Sequence, residues 1–208
     1  MGSLILDIDG VLIRDRALLG HVKRNCVRYV QHKMPEVKNP EFMNQVFYEN
    51  FGHTGKGMRR AHKINTDDFN KFVYDKKLHD HLWTVLAGNE FQKDAEDIHS
   101  LIKEGWSVKL FSNSPLEWSL PVASAISDEV MVVYNDRLLK PDIEAYTQFS
   151  DKQKHVFVDD SLRNLMPAWW LLNWETVHFS DNKLAKCTTT LSSIQELAMY
   201  LRYVPRIR

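Results

Sequence analysis

Hydrophobic positions along this chain follow two different rhythms. Between residues 14 and 87 they recur every three or four places: Leu18, Val22, Val27 and Val30 in one stretch, Phe42, Val46 and Phe47 in the next. That spacing predicts a helix over 17–33, broken by Pro35 and Asn39-Pro40, and a second over 41–50. Gly52, Gly55 and Gly57 predict a flexible loop around His53, Thr54 and Lys56. Thr66-Asp67-Asp68-Phe69 reads as a helix start, with acidic residues where the dipole favours them. That helix should run to about Tyr74, and another should cover 76–86. No strand pattern occurs in this segment.

Elsewhere short apolar runs alternate with helical stripes. Leu4–Leu6, Val108–Phe111, Val130–Val133, His155–Val158 and Thr176–Phe179 read as buried strands. Between them, Phe91, Ala95, Ile98, Leu101 and Ile102 form a helical stripe ended by Gly105. Ser114-Pro115-Leu116-Glu117 has the form of a capping box with proline at the first helical position. Lys140-Pro141-Asp142 opens another helix, 162–172 a further one ended by a left-handed Asn173, and 192–203 a last one. Strand alternating with helix predicts an α/β, Rossmann-like, mostly parallel sheet flanked by helices. The core would comprise residues 1–13 and 88–208, with 14–87 an inserted helical domain.

Ligands of such sheets sit at the carboxyl ends of the strands, near the switch in strand order. Three predicted strands end there in polar residues: Asp7 and Asp9, Ser112 and Asn113, Asp159 and Asp160. Each pair alone has an ordinary reading, as a solvated turn or a helix start; their recurrence at successive strand ends marks a site. Two carboxylates one residue apart at the end of a buried strand need a cation or a shared proton. Four of them call for a hard divalent ion, and oxygen-only ligation points to Mg²⁺ held by Asp7, Asp9, Asp159 and Asp160. Ser112, Asn113, the helix start at Ser114 and the amine of Lys140 suit a phosphate. The set predicts phosphoryl transfer, one carboxylate attacking and its neighbour carrying a proton.

Composition adds less. Basic and acidic side chains number 27 each, but 14–87 holds 14 basic and 8 acidic ones, against 13 and 19 in the remainder. A basic insertion facing an acidic core would draw an anion, or the two would simply attract each other. Cys26 and Cys187 are far apart with no CxxC, which fits a reducing, cytoplasmic compartment. No apolar run is long enough to span a membrane, and Asp7 and Asp9 interrupt any signal-peptide core. The segment Gly52–Gly57 lacks the ending of a P-loop and follows no strand. His79 and His81, two apart on a helix, do not suggest zinc. Trp169-Trp170 is expected to pack at least one ring on the sheet. Arg202, Arg206 and Arg208 are too sparse to argue for a nucleic-acid polymer.

The stretches DIDGV, FSNS, LKPD and VFVDDS resemble the four successive motifs of the haloacid dehalogenase superfamily of phosphatases and phosphotransferases. The helical insertion is similar to that superfamily's mobile cap. Within it, Tyr48-Glu49-Asn50-Phe51-Gly52 through Met58, then His62 to Phe69, resembles the pyrimidine 5′-nucleotidase type, with Met58 where leucine is usual and Ser112 where threonine is. The resemblance implies that Asp7 attacks phosphorus and that Asp9 protonates the leaving alcohol, then activates water. It implies that Ser112, the Asn113 backbone and Lys140 hold phosphate oxygens, and that Asp159, Asp160 and the Asp9 carbonyl serve Mg²⁺. Apart from the resemblance, Lys56, Arg59 and Arg60 would be either substrate contacts from the cap or solvated charges on a helix face. The expected activity is a phosphomonoesterase acting on a small phosphorylated metabolite such as a nucleoside monophosphate. The alternatives are a sugar phosphatase or phosphomutase, or a non-catalytic phosphate-binding module.

Overall fold

Six strands build one parallel sheet in the computed structural model, which describes residues 2–149, 153–182 and 189–203. They are β1 (Ser3–Leu6), β2 (Ser107–Phe111), β3 (Met131–Val133), β4 (His155–Asp159), β5 (Glu175–Phe179) and β6 (Thr189–Leu191). Their order is β3-β2-β1-β4-β5-β6, with every neighbouring pair parallel. The chain therefore reverses its direction of winding between β1 and β4, which places a crevice beyond the carboxyl ends of the central strands. Five strands match the predicted runs. The sixth was not foreseen: β6 is three residues long, half-buried, and carries no apolar run.

Alternation along the central strands divides the core in two. Leu4, Leu6, Val108, Leu110, Val156 and Val158 face one side, and Ile5, Phe111 and Phe157 the other. The first side is covered by α6 (Asn89–Lys103), α7 (Leu116–Ile126) and α10 (Ile194–Tyr203), through Ile98, Leu101, Val122 and Leu197. The second is covered by the short α8 (Ile143–Tyr146) and by α9 (Leu162–Leu172). There Phe111, Tyr146, Phe149, Phe157 and Trp174 pack edge-on or tilted, with Phe111 and Phe149 centroids 5.0 Å apart. Asn173 ends α9 in the left-handed conformation, φ 53°.

Five helices separate β1 from β2: α1 (Arg16–Lys33), α2 (Pro40–Phe51), α3 (Thr54–His62), α4 (Thr66–Val73) and α5 (Lys76–Leu86). Short polar side chains start them. Asp15 accepts from the Leu18 amide at 2.6 Å, Asn39 from Phe42 at 3.0 Å and Asp75 from Leu78 at 2.9 Å. Their buried faces (Leu18, Tyr29, Val30, Phe47, Met58, Phe69, Val73) run on into the first side of the core.

Three local expectations fail for identifiable reasons. The expected loop at 52–57 shrinks to Gly52, which ends α2 at φ 73°, and His53, whose Nδ1 accepts from the Lys56 amide; α3 starts at Thr54. Gly55 and Gly57 are there for close packing: a Cβ on Gly55 would lie 2.7 Å from the Phe69 ring, and one on Gly57 2.8 Å from Phe47. Ser114 does not cap α7; Pro115 occupies the cap position without a side-chain bond, and the Ser114 hydroxyl is engaged elsewhere. Trp169 and Trp170 both lie exposed on α9, because its buried positions are Leu165 and Ala168. Arg202 pairs with Glu104, whereas Cys187, Arg206 and Arg208 lie outside the described residues.

Candidate active site

At the end of β1 the chain folds into a tight loop. The amides of Val11, Leu12 and Ile13 all point at the Ile8 carbonyl, and Ile8, Val11, Leu12 and Ile13 are buried beneath it. This apolar knot fixes Asp7 and Asp9 where the strand ends. Asp7 stays in register, its amide donating to the Val158 carbonyl of the neighbouring β4. Asp7, Asp159 and Asp160 thereby converge, each offering an oxygen within 4.8 Å of the others.

Lys140 reaches this group from the loop after β3. Its ammonium lies 3.0 Å from Asp7 Oδ1 and 2.6 Å from Asp159 Oδ2, over the faces of Phe111 and Phe157, and is 1% exposed. Asn113, at the end of β2, holds it there: Oδ1 accepts from the Lys140 amide at 2.8 Å and Nδ2 donates to its carbonyl at 3.0 Å. Beside it, the Ser112 hydroxyl accepts from the Ser114 amide. Asp159 is wholly buried and takes further bonds from Asn164 Nδ2 and the Ser161 amide. Asp160 projects from the same turn; the residue is exposed, but its carboxyl lies against Gly10 and beside Asp7 and Asp159.

The Asp9 carboxylate is turned away from the other three. Ser114 Oγ donates to its Oδ2 at 2.5 Å and the Trp118 indole donates to its Oδ1 at 3.0 Å. Sequence reasoning read Ser114 only as a helix start beside the phosphate, and missed Trp118, Asn164 and Arg163. The indole of Trp118 reads as core in any apolar stripe, and only the fold shows its N–H meeting a carboxylate 109 residues away.

Electrostatics follow from this crowding. Burial, then the charges of Asp159, Asp160 and Asp9, hold the Asp7 carboxyl well above the usual range, with Lys140 opposing. Burial and Asp159 push Asp160 up to about 7. Burial raises Asp9 too, offset by the bonds from Ser114 and Trp118. Burial alone would depress the Lys140 ammonium, but Asp159 and Asp7 outweigh it and leave it raised. One ammonium among these carboxylates leaves negative charge in excess, and the available donors are all oxygens. That donor set fits a hard divalent cation.

A cavity of about 380 Å³ opens over the group. Core residues Asp7, Asp9, Ser112, Asn113, Lys140 and Asp160 form its floor, and Leu19, Val22, Lys23 and Cys26 of α1 with Asn44 and Tyr48 of α2 form its roof. Lys56, Arg59 and Arg60, expected to reach the substrate, do not line it. Lys56 is buried in an ion pair with Asp142 at 2.8 Å, Arg60 reaches the same carboxylate at 3.1 Å, and Arg59 donates to the Asp136 carbonyl at 2.6 Å. Lys56 and Arg60 thus tie α3 to the segment after β3 by charge attraction, and Arg59 does so through a backbone carbonyl. Arg163 of α9 does the same for α2, donating to the carbonyls of Tyr48, Glu49 and Asn50.

No protein-family model matches the chain, and no curated protein does. Solved structures do. A phosphatase of the haloacid dehalogenase type from Thermococcus onnurineus aligns over 97% of this chain and 98% of its own, with TM-score 0.62 and 15% identity. This chain has the haloacid dehalogenase fold. The L-2-haloacid dehalogenase of Xanthobacter autotrophicus aligns over 98% and 99% with TM-score 0.58 and 10% identity. A putative hydrolase of this type from Bacillus subtilis, solved with magnesium bound, aligns over 97% and 98% with TM-score 0.55 and 13% identity. Within this fold the carboxylates of the present chain stand beyond the central strands, at the switch in strand order.

Gly10 ties the first loop to the last carboxylate. It adopts φ 93°, and a Cβ there would lie 2.3 Å from Asp160 Oδ2 and 3.1 Å from Asp160 Cβ. Gly10→Ala should therefore displace Asp160 and strain the loop by about 1–3 kcal/mol. Thermal denaturation with and without Mg²⁺ should find a lower melting temperature and a smaller rise on adding the ion. An unchanged rise would remove Asp160 from the cation site.

Proposed function

We propose that this protein is a Mg²⁺-dependent phosphomonoesterase working through an aspartyl-phosphate on Asp7. The observation that carries the reading is the pairing of two unlike carboxylates in one cavity. Asp7 faces Lys140 and the acidic cluster, while Asp9 is held apart by neutral donors. Environments that separate two acids in this way divide nucleophile from proton carrier.

In the first step an Asp7 oxygen attacks phosphorus and the P–O bond to the alcohol breaks, the departing oxygen taking the Asp9 proton. In the second, Asp9 accepts a proton from water as that water attacks phosphorus, and the bond from phosphorus to the Asp7 oxygen breaks. Inorganic phosphate leaves and both carboxyls return to their starting states. Lys140 and Ser112 would hold the non-bridging oxygens. Asp7, Asp159 and Asp160 would hold Mg²⁺, which when bound supplies charge for the phosphate oxygens. A carboxyl at Asp9 suits a phosphate ester, whose alkoxide needs a proton, better than a carbon–halogen bond, whose halide does not. Helices α1–α5 would act as a cap, residues 14–87, over a core of 1–13 and 88–208.

For substrate class, the resemblance of Tyr48–Phe69 to pyrimidine 5′-nucleotidases supports a nucleoside monophosphate, and a cavity of about 380 Å³ is within the range of small-ligand sites. The test is release of inorganic phosphate from a panel of nucleoside monophosphates, sugar phosphates and small alkyl phosphates, with Mg²⁺ and with EDTA. Turnover of nucleotides that EDTA abolishes is the expected result. Preference for sugar phosphates would move the assignment to a sugar phosphatase, and no turnover of any ester would overturn it.

A further inference from the structure

The Asp9 carboxylate is connected to the helical insertion. Tyr74, the residue that ends α4, places its hydroxyl 3.0 Å from Ser114 Oγ, and Ser114 Oγ lies 2.5 Å from Asp9 Oδ2. A serine hydroxyl has one proton, and an ionised carboxylate only accepts. Once Asp9 has given up its proton, Ser114 donates to it and receives the Tyr74 proton, so in that state the chain runs Tyr74→Ser114→Asp9. Tyr74 can donate throughout the working pH range, since burial and the nearby Asp9 charge hold its hydroxyl well above the ordinary value. Its ring also stacks at a tilt on Trp118, centroids 5.3 Å apart, and Trp118 supplies the second bond to Asp9. Tyr74, Ser114 and Trp118 are all buried.

Both donors to Asp9 thus rest on one side chain from the insertion. Without the Tyr74 hydroxyl the Ser114 oxygen loses the donor that fixes its rotor from behind and keeps only its bond to Asp9, which is then less tightly oriented. Tyr74 also lines a separate cleft of about 750 Å³ with Asn70, Glu117, Tyr134 and Asp136, whereas Ser114 lines the 380 Å³ cavity. We propose that Tyr74 is a positioning residue, by which the seating of the helical insertion on the core sets the orientation of the Asp9 carboxyl. This rests on the reading of Asp9 as proton carrier. The insertion then governs proton delivery to the leaving group as well as access to the site. Tyr74 touches no reacting atom; it acts through Ser114 and Trp118.

Leaving-group dependence tests this. An alkyl leaving group needs the proton and p-nitrophenolate scarcely does, so a fault in positioning the acid separates the two, whereas general damage does not. For Tyr74→Phe, kcat/KM for an alkyl phosphate should fall about tenfold, a part of the 10²–10⁴ that general acid catalysis contributes, and that for p-nitrophenyl phosphate about twofold or less. Ser114→Ala should show the same pattern more strongly. Equal losses on both esters, or no loss on either, would overturn the proposal. A second readout needs no turnover: the Trp118 indole N–H resonance, assigned by its absence in Trp118→Phe, should shift and exchange faster in Tyr74→Phe. If no ester is turned over by the wild type but that resonance responds, the phosphatase reading fails and the coupling of Tyr74 to Asp9 stands. If esters are turned over and the resonance is unmoved, the coupling fails and the phosphatase reading stands.

Discussion

Asp7→Asn should be inactive and, without divalent cation, more stable than the wild type. The amide keeps the size of the carboxylate but cannot attack phosphorus, and loss of a nucleophile costs on the order of 10⁴-fold or more in turnover. The stability change has the opposite sign because the folded protein disfavours this charge. Burial and the carboxylates of Asp159, Asp160 and Asp9 raise Asp7 despite Lys140 at 3.0 Å, so a neutral group at this position relieves repulsion. Phosphate release and urea denaturation in EDTA, on the same preparation, decide it. Retained Mg²⁺-dependent turnover would remove Asp7 as nucleophile. Inactivity with lower stability would mean that the amide damages the fold, and Asp7→Ala would then have to separate the two.

The sheet was legible because burial on both faces leaves little choice of residue. Leu4–Leu6 and His155–Val158 face helices on both sides, and such runs stand out in a sequence. Its strand order was not legible, since Val108 and Val156 carry no mark of which lies beside Leu4; both do. β6, at the sheet edge, has only three residues and little burial to constrain them. Gly55 and Gly57 misled for a related reason. Local composition cannot tell a glycine needed for flexibility from one needed so that Phe47 or Phe69 can approach the backbone.

The polar strand ends located the site, because carboxylates crowded at the end of a buried strand are costly without a cation or a shared proton. What surrounds them was less visible. Lys56, Arg59 and Arg60 looked like ligands for an anion, but Asp142 and the Asp136 carbonyl, some eighty residues on, engage them first. Conversely Tyr74 and Ser114 read as a helix end and a cap, and nothing in the sequence singled out Trp118. Their joint hold on Asp9 depends on how α4, α5 and α7 pack. Functional groups fixed by one strand can be read locally; those assembled by helix packing cannot.

Lys140→Met should separate the two tasks of this lysine. Methionine is unbranched, similar in length, and suited to the Phe111 and Phe157 ring faces that the ammonium now covers. It removes the only cation within reach of Asp7 and Asp159 among the described residues, and breaking a buried pair in this way costs about 3–5 kcal/mol. The pH dependence has a definite sign. A carboxyl raised in the folded state binds more protons than in the unfolded chain, so stability falls as pH rises through the interval between its unfolded and folded values. Asp160, at about 7 when folded, already gives the metal-free wild type such a fall from the ordinary carboxylate range to neutrality. With Lys140 gone Asp7 loses what opposes its rise, and the fall should steepen. Urea denaturation in EDTA at several values from pH 5 to pH 8 reads both slopes, and equal slopes would mean that Lys140 does not set the charge state of Asp7. Mg²⁺ should restore much of the lost stability, because it supplies positive charge at the same oxygens. It should not restore turnover, which is expected to stay about 10²–10³-fold down for want of a fixed donor to the phosphate. Recovery of both would reduce Lys140 to a counter-ion, and the phosphate would then have to be held by Ser112 and the backbone of Asn113.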